Sequence, residues 1–234
     1  MANLSETTVG TLDEGRALVV HSGGADSTIC LHWAMERYEK VSAITFDYGQ
    51  RHRIELDCAA DICQKLGVEQ KLVTLESLAQ LGGNSLMDHD QKIEANEGQL
   101  PNTFVPGRNL LFMTLAGAWA WQLGARHLIT GVCETDFSGY PDCREETMKS
   151  LQQSLNLGME ADFVIHTPLM HVNKADSVKM AESMEGCLNS LSYSHTCYEG
   201  EFPPCGACPS CELRAKGFEE AGVVDPLVSR GANS

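Results

Sequence analysis

Positive charge is scarce in this chain of 234 residues: 17 Lys and Arg face 32 Asp and Glu, a formal net charge of −15. A field of that sign repels phosphate backbones, which argues against nucleic acid as the main partner. Any bound polyphosphate must then be held by a local device. Long apolar runs are also missing, the longest, at Leu110–Ala120, falling short of the roughly 18 to 20 residues of a spanning helix. The first sixteen residues have neither a basic nor an apolar signal-type stretch, so a cytoplasmic, reducing setting without membrane contact is expected. Internal repeats and low-complexity segments are absent. What remains is ordinary for a globular protein, with 43% hydrophobic and 21% charged residues, sized for one compact domain or for one domain plus a small appendage.

Strand-like and helix-like segments alternate. Strands are expected at 17–21, 41–47, 70–75, 127–133 and 163–167, and helices at 26–38, 52–66, 109–123, 143–157 and 174–185. Gly67 reads as the residue that ends the second helix. Residues 76–107 lack periodicity and read as a long loop, with room for one short helix, of the kind that forms a lid or binding element. The alternation predicts an α/β fold with a doubly wound, mostly parallel sheet, whose ligands lie beyond the carboxyl ends of the strands. The expected organisation is a disordered extension over 1–16, an ATP-binding α/β domain over 17–189, a cysteine module with a C-terminal helix over 190–222, and a tail over 223–234.

The local device follows the first strand: Ser22-Gly23-Gly24-Ala25-Asp26-Ser27 runs directly into a helix. Glycines let the backbone approach an anion closely, and a helix N-terminus offers N–H groups with partial positive charge. Ser22, Ser27 and Thr28 add hydroxyls, and Asp26 can cap the helix or hold a magnesium ion against phosphate oxygens. No Gly-Lys-Ser/Thr follows, so this is not a Walker loop, and it is not GxGxxG. Its order resembles the pyrophosphate loop of the ATP-pyrophosphatase (PP-loop) superfamily, also called adenine-nucleotide alpha hydrolases.

Four of the ten cysteines, Cys197, Cys205, Cys208 and Cys211, form C-x7-C-x2-C-x2-C. Such thiolates can converge on one tetrahedral ion, which suits a closed structural zinc site with no open position for chemistry. A cubane iron–sulfur cluster is the chemical rival. The long arm and the absence of a partner redox motif favour zinc, one per chain. The other six cysteines are scattered and carry no metal role.

SGGADS, FDYGQRH (46–52), FVPGRN (104–109), GVCETDFSGYPDCR (131–144), PLMHVNKAD (168–176) and the cysteine pattern occur in this order. Together they resemble the 7-cyano-7-deazaguanine synthase family, the nitrile-forming ligases of queuosine biosynthesis, over residues 17–218. The resemblance implies ATP-dependent conversion of 7-carboxy-7-deazaguanine and ammonia to an amide and then a nitrile, with Mg²⁺ accompanying ATP, in a cytoplasmic homodimer. It leaves open whether ATP is split to AMP or ADP. It also implies roles by position. His21, Ser22, Gly23, Gly24, Ala25, Asp26, Ser27, Thr28, Ile29, Cys30 and Leu31 would cradle ATP, with Phe46 near the adenine or ribose. Asp26, Lys174 and Arg108 would be catalytic, Arg108 also binding ATP and Arg51 lying near anionic groups. Asp136, Tyr140, Asp142 and Arg144 would read the deazaguanine.

Plainer readings stand beside these roles. Asp136 and Asp142 also suit turns around SGYP, Lys174 a solvated helix start, and Arg51 surface charge. His52 and His171 stay outside the catalytic set as packed or exposed histidines. His21 stands where an apolar residue is common, and burial would oppose its protonation. Two rival functions are a PP-loop enzyme of tRNA modification, which the acidic surface disfavours, and a non-catalytic zinc-stabilised nucleotide sensor, which the intact loop disfavours.

Overall fold

A computed structural model describes residues 12–50, 52–81, 100, 103–134 and 139–231. Among these residues five strands, β1 (Asp13–Val20), β2 (Lys40–Asp47), β3 (Glu69–Thr74), β4 (Ala125–Ile129) and β5 (Val164–His166), form one sheet in the order β3-β2-β1-β4-β5. Every pairing is parallel. The order reverses between β2 and β4 on either side of β1, which places the switch point at the end of β1. In β1 the period-two alternation is direct: Ala17 and Val19 join one core layer and Leu18 the other, all three fully buried.

The first layer holds α1 (Ala25–Met35), α2 (Ile54–Leu66), α6 (Lys174–Ser183) and α7 (Cys187–Leu191), through residues such as Ile29, Ile62, Val178 and Leu191. The second holds α4 (Arg108–Leu123) and α5 (Glu145–Met159), through Phe112, Met113 and Leu155. Gly67 ends α2 in the left-handed conformation, as its position predicts. A short α3 (Glu76–Leu81) opens the long loop, most of which lies outside the described residues.

Three boundaries differ from expectation. β1 begins at Asp13, so residues 13–16 of the expected extension belong to the sheet, while residues 1–11 lie outside the described part. These polar residues continue the ladder beyond the core, where backbone pairing with the start of β4 needs no apolar side chain. β4 ends at Ile129, short of the expected 133, because residues 130–133 turn off the sheet and line the cleft described below. The expected tail contains α9 (Pro226–Gly231), whose Leu227 is buried.

The C-terminal region is also built into the domain. Its helix α8 (Pro209–Ala221) packs on α6 and sends Phe218 into the first core layer. Arg214 of α8 forms a buried pair with Asp225 at 2.6 and 2.9 Å, and donates to Ser194 Oγ and the Leu191 carbonyl. No described helix is long and apolar enough to cross a membrane.

Candidate active site

The chain leaves β1 at the switch point and turns through His21–Gly24 into α1. Gly23 requires its residue type twice over: its φ is +87°, and an added Cβ would lie 2.2 Å from the Glu55 carbonyl oxygen. The hydroxyls brace the turn. Ser22 Oγ lies 3.1 Å from Ser27 Oγ, and Ser27 and Thr28 both donate to the Gly24 carbonyl. Gly24 begins α1 with no side-chain cap, so no described side chain closes the helix N-terminus. Asp26 therefore does not cap.

Instead, both Asp26 oxygens accept from Lys174 Nζ at 2.8 Å. Lys174 starts α6, where the Asn173 side chain caps the helix. Two glycines make this pair possible. A Cβ on Gly131 would sit 3.1 Å from the Asp26 carbonyl carbon, and one on Gly217 of α8 would sit 2.3 Å from Lys174 Cγ. His21 lies sealed beneath the loop, with Nε2 3.3 Å from Thr28 Oγ1 and Nδ1 facing the Cys63 thiol. Burial, then the nearby His32, lowers its pKa to about 4, so it is a neutral support near pH 7.

A cleft of about 380 Å³ opens beside the loop. Ser22, Gly24, Ala25, Asp26, Ser27 and Ile29 line it on one side, together with Lys174. Cys30 and Leu31 point into the core, Gly23 lies beneath the turn, and Thr28 is buried against Gly24. Phe46, at the end of β2, stacks on Phe112 with ring centroids 4.4 Å apart, giving the cleft an aromatic wall. Arg108, first residue of α4, donates to Tyr48 OH at 3.3 Å. Tyr140 lines the same wall, its hydroxyl hydrogen-bonded to Thr103.

The remaining substrate candidates divide. Asp142 is buried beneath α4 and accepts the Asn109 backbone N–H at 3.0 Å, while Arg144 is exposed at the start of α5; neither lines the cleft. Arg51 and Asp136 lie outside the described residues. His171 is exposed near Glu145. Among the lining residues that escape sequence reasoning are Glu55 in the first turn of α2 and Tyr198 next to Cys197. Only adjacency to a cysteine singles out Tyr198 in the sequence; nothing singles out Glu55. Burial pushes the Glu55 carboxyl up to about 7, against the opposing pull of Arg108.

The four cysteine sulfurs all lie within 4.8 Å of one another. Cys205 and Cys211 Sγ are 3.9 Å apart, close to the roughly 3.8 Å edge of a tetrahedron with 2.3 Å metal–sulfur bonds. Backbone N–H groups of Tyr198, Cys205 and Cys208 point at Cys208, Cys197 and Cys205 sulfurs respectively. The N–H of Ala207, foremost among several donors, draws the Cys205 thiol down to about 7. This donor set fits a metal ion. The segment leading into it also meets the glycine loop, since the His195 N–H donates to the Gly23 carbonyl at 2.9 Å.

Comparison with known proteins gives concordant results. A family model described as queuosine biosynthesis protein QueC matches residues 16–222. The 7-cyano-7-deazaguanine synthase of Chromobacterium violaceum is 58% identical over 222 residues, covering 92% of this chain and 94% of that protein. Its counterpart in Bacillus subtilis is 53% identical over 211 residues, covering 89% and 96%. Among solved structures, a 4-thiouridine synthetase in complex with RNA and bound ATP superposes with a TM-score of 0.51 at 17% identity. That match covers 94% of this chain and 54% of the synthetase, and it is a likeness of fold.

Proposed function

The chain belongs to the family of queuosine biosynthesis protein QueC, an enzyme family of that pathway, and from this membership we propose that its cleft joins ammonia to 7-carboxy-7-deazaguanine at the expense of ATP and then dehydrates the amide to 7-cyano-7-deazaguanine. One observation carries the reading. The glycine loop, the Asp26–Lys174 pair and Arg108 converge on a single cleft at the switch point of the sheet. A carboxylate is a poor electrophile because oxide is a poor leaving group; transfer of a phosphate-containing group from ATP creates a good one. An amide oxygen can be activated in the same way, so one nucleotide site serves both halves of the reaction.

The loop backbone and the N-terminus of α1 receive the phosphates, where oriented N–H dipoles offset negative charge. Lys174 and Arg108 neutralise charge that builds as phosphate oxygens leave, and Asp26 is the carboxylate suited to the magnesium ion that travels with ATP. Phe46 and Phe112 offer an aromatic surface to a base, and Tyr140 a hydroxyl and a ring to the deazaguanine. Asp136 and Arg51 remain candidates for the substrate edge and its carboxylate. Asp142 supports the site from beneath α4, and Arg144, exposed at the start of α5, lies outside the cleft lining. Cys197, Cys205, Cys208 and Cys211 would hold one Zn²⁺, which when bound cross-links the segment carrying Tyr198 and has no open position for chemistry. A reducing cytoplasm suits ten cysteines that form no disulfide, and the family resemblance implies a homodimer.

The deciding experiment is mass spectrometry of purified protein incubated with ATP, magnesium, ammonium and 7-carboxy-7-deazaguanine. The expected result is time-dependent amide followed by nitrile. Unchanged substrate in a protein that binds both ATP and zinc would favour a nucleotide sensor instead.

A further inference from the structure

Both halves of this conversion must strip protons from nitrogen. When ammonia attacks the activated carboxyl carbon, a C–N bond forms and the new ammonium group gives up one proton. The C–O bond to the activated oxygen then breaks, leaving the amide. Once the amide oxygen is activated in its turn, nitrogen gives up a proton to form a neutral imidate. It gives up a second as the C–O electron pair departs and the carbon–nitrogen triple bond closes.

Among the described residues that line the cleft, the carboxylates are Asp26 and Glu55 and the imidazoles are His21 and His52. Asp26 is committed, with Lys174 on both of its oxygens at 2.8 Å. His21 lies buried beneath the loop, held between Thr28 and Cys63. His52 is packed against Gly200, where an added Cβ would fall 2.4 Å from its ring. The thiol of Cys143 is pushed up to about 12 by burial, and the tyrosines of the cleft are raised too, so none of these is a base near neutrality.

Glu55 differs from all of them. Its backbone is fixed, because its carbonyl fills the space beneath Gly23. Its carboxyl reaches the same cleft as Arg108, and no described side chain hydrogen-bonds it. We propose that Glu55 takes the N–H protons as the amide and the nitrile form, and passes them to solvent between steps. This rests on the reaction assigned above and names the group that reaction otherwise lacks. A carboxyl that titrates near 7 is matched to such a task near neutral pH. The charged or titratable groups around it are Arg108 from α4, Tyr48 from the turn after β2, Tyr198 from the cysteine segment, and His52 and Cys58 from either side along its own chain. Arg108 favours the carboxylate while burial opposes it, so the basic form gains as pH rises through about 7.

The test compares wild type, Glu55→Gln and Glu55→Asp in single turnovers from the acid and from the isolated amide, across pH 5.5 to 9. Glu55→Gln is expected to slow nitrile formation from the amide about 100-fold or more and to abolish the rise in rate near pH 7, with ATP affinity held within about twofold. Glu55→Asp should keep the rise at a reduced rate. A Glu55→Gln enzyme that retains the wild-type rate and the same pH profile overturns the proposal. So does a loss that tracks weakened ATP binding, or a Glu55→Asp enzyme without the rise. Wild-type protein that forms no nitrile overturns the assigned reaction itself, a separate and distinguishable outcome.

Discussion

Single side chains in the cleft act through the space they leave as much as through their charge. Gly217 shows this most clearly, since a methyl group there would collide with the stem of Lys174 at 2.3 Å. The stem can swing away, so Gly217→Ala should displace the ammonium from Asp26 and lower kcat by about tenfold to a hundredfold. Lys174 Cβ at 3.0 Å and its backbone carbon at 3.3 Å must give as well, so the substitution should also cost about 1–3 kcal/mol in stability. Activity and thermal unfolding measured on one preparation would separate these effects, and equal losses of both would make the glycine a packing residue. Gly23→Ala is different in kind. Its clash is with the α2 backbone, which cannot swing aside, so loss of ATP binding measured by calorimetry should accompany a lower melting temperature. The loop and the four cysteines were legible in the sequence because their signal is local, a spacing of few residue types. Glu55 and Gly217 were not, because each acquires its meaning from a neighbour brought in from a distant part of the chain.

At the scale of elements, strand and helix positions followed from periodicity wherever side-chain pattern and backbone pairing agree. They diverged where the two separate: β1 pairs through polar residues at 13–16, and the apolar run Val132–Cys133 lines the cleft outside the sheet. The end of the chain diverged most. Its polar composition suggested an appendage and a tail, yet α8 and α9 are secured by a buried ion pair that no pattern of neighbours reveals. Arg214 sits with Asp225 at 7% and 9% side-chain exposure, and also binds Ser194 and the Leu191 carbonyl. Removing one partner strands the other in a poorly solvated place, so Arg214→Ala should cost about 3–5 kcal/mol in denaturant unfolding. A cost below about 1 kcal/mol would mean that the pair is solvated in solution and that α8 is held by its packing on α6 and by Phe218.

For the whole molecule, acid should be the weak flank. His21 is fully buried and its pKa falls from 6.5 to about 4 on folding. The unfolded chain binds its proton first, so the stability held above pH 6.5 is progressively lost as pH falls toward 4. A shift of this size is worth up to about 3 kcal/mol. His166, lowered to about 4 by burial and by His127, adds in the same direction. Unfolding free energies measured from pH 7.5 to 4 should decline in wild type and decline less in His21→Leu; parallel curves would exclude His21 as a source. Chelation should reach beyond stability as well. If the cysteine cluster holds the metal it fits, removing that metal would free the segment whose His195 N–H holds the Gly23 carbonyl, so ATP affinity should fall at temperatures where circular dichroism still reports a folded sheet. An unchanged affinity would confine the metal to local folding. The same 2.9 Å contact joins two segments that are made far apart in time. On the ribosome the glycine loop emerges early, but the donor that closes it, the tyrosine wall at Tyr198 and the glycine behind Lys174 are all made afterwards. A nascent chain therefore lacks the donor to the Gly23 carbonyl and this part of the cleft wall until residues 195–217 are translated.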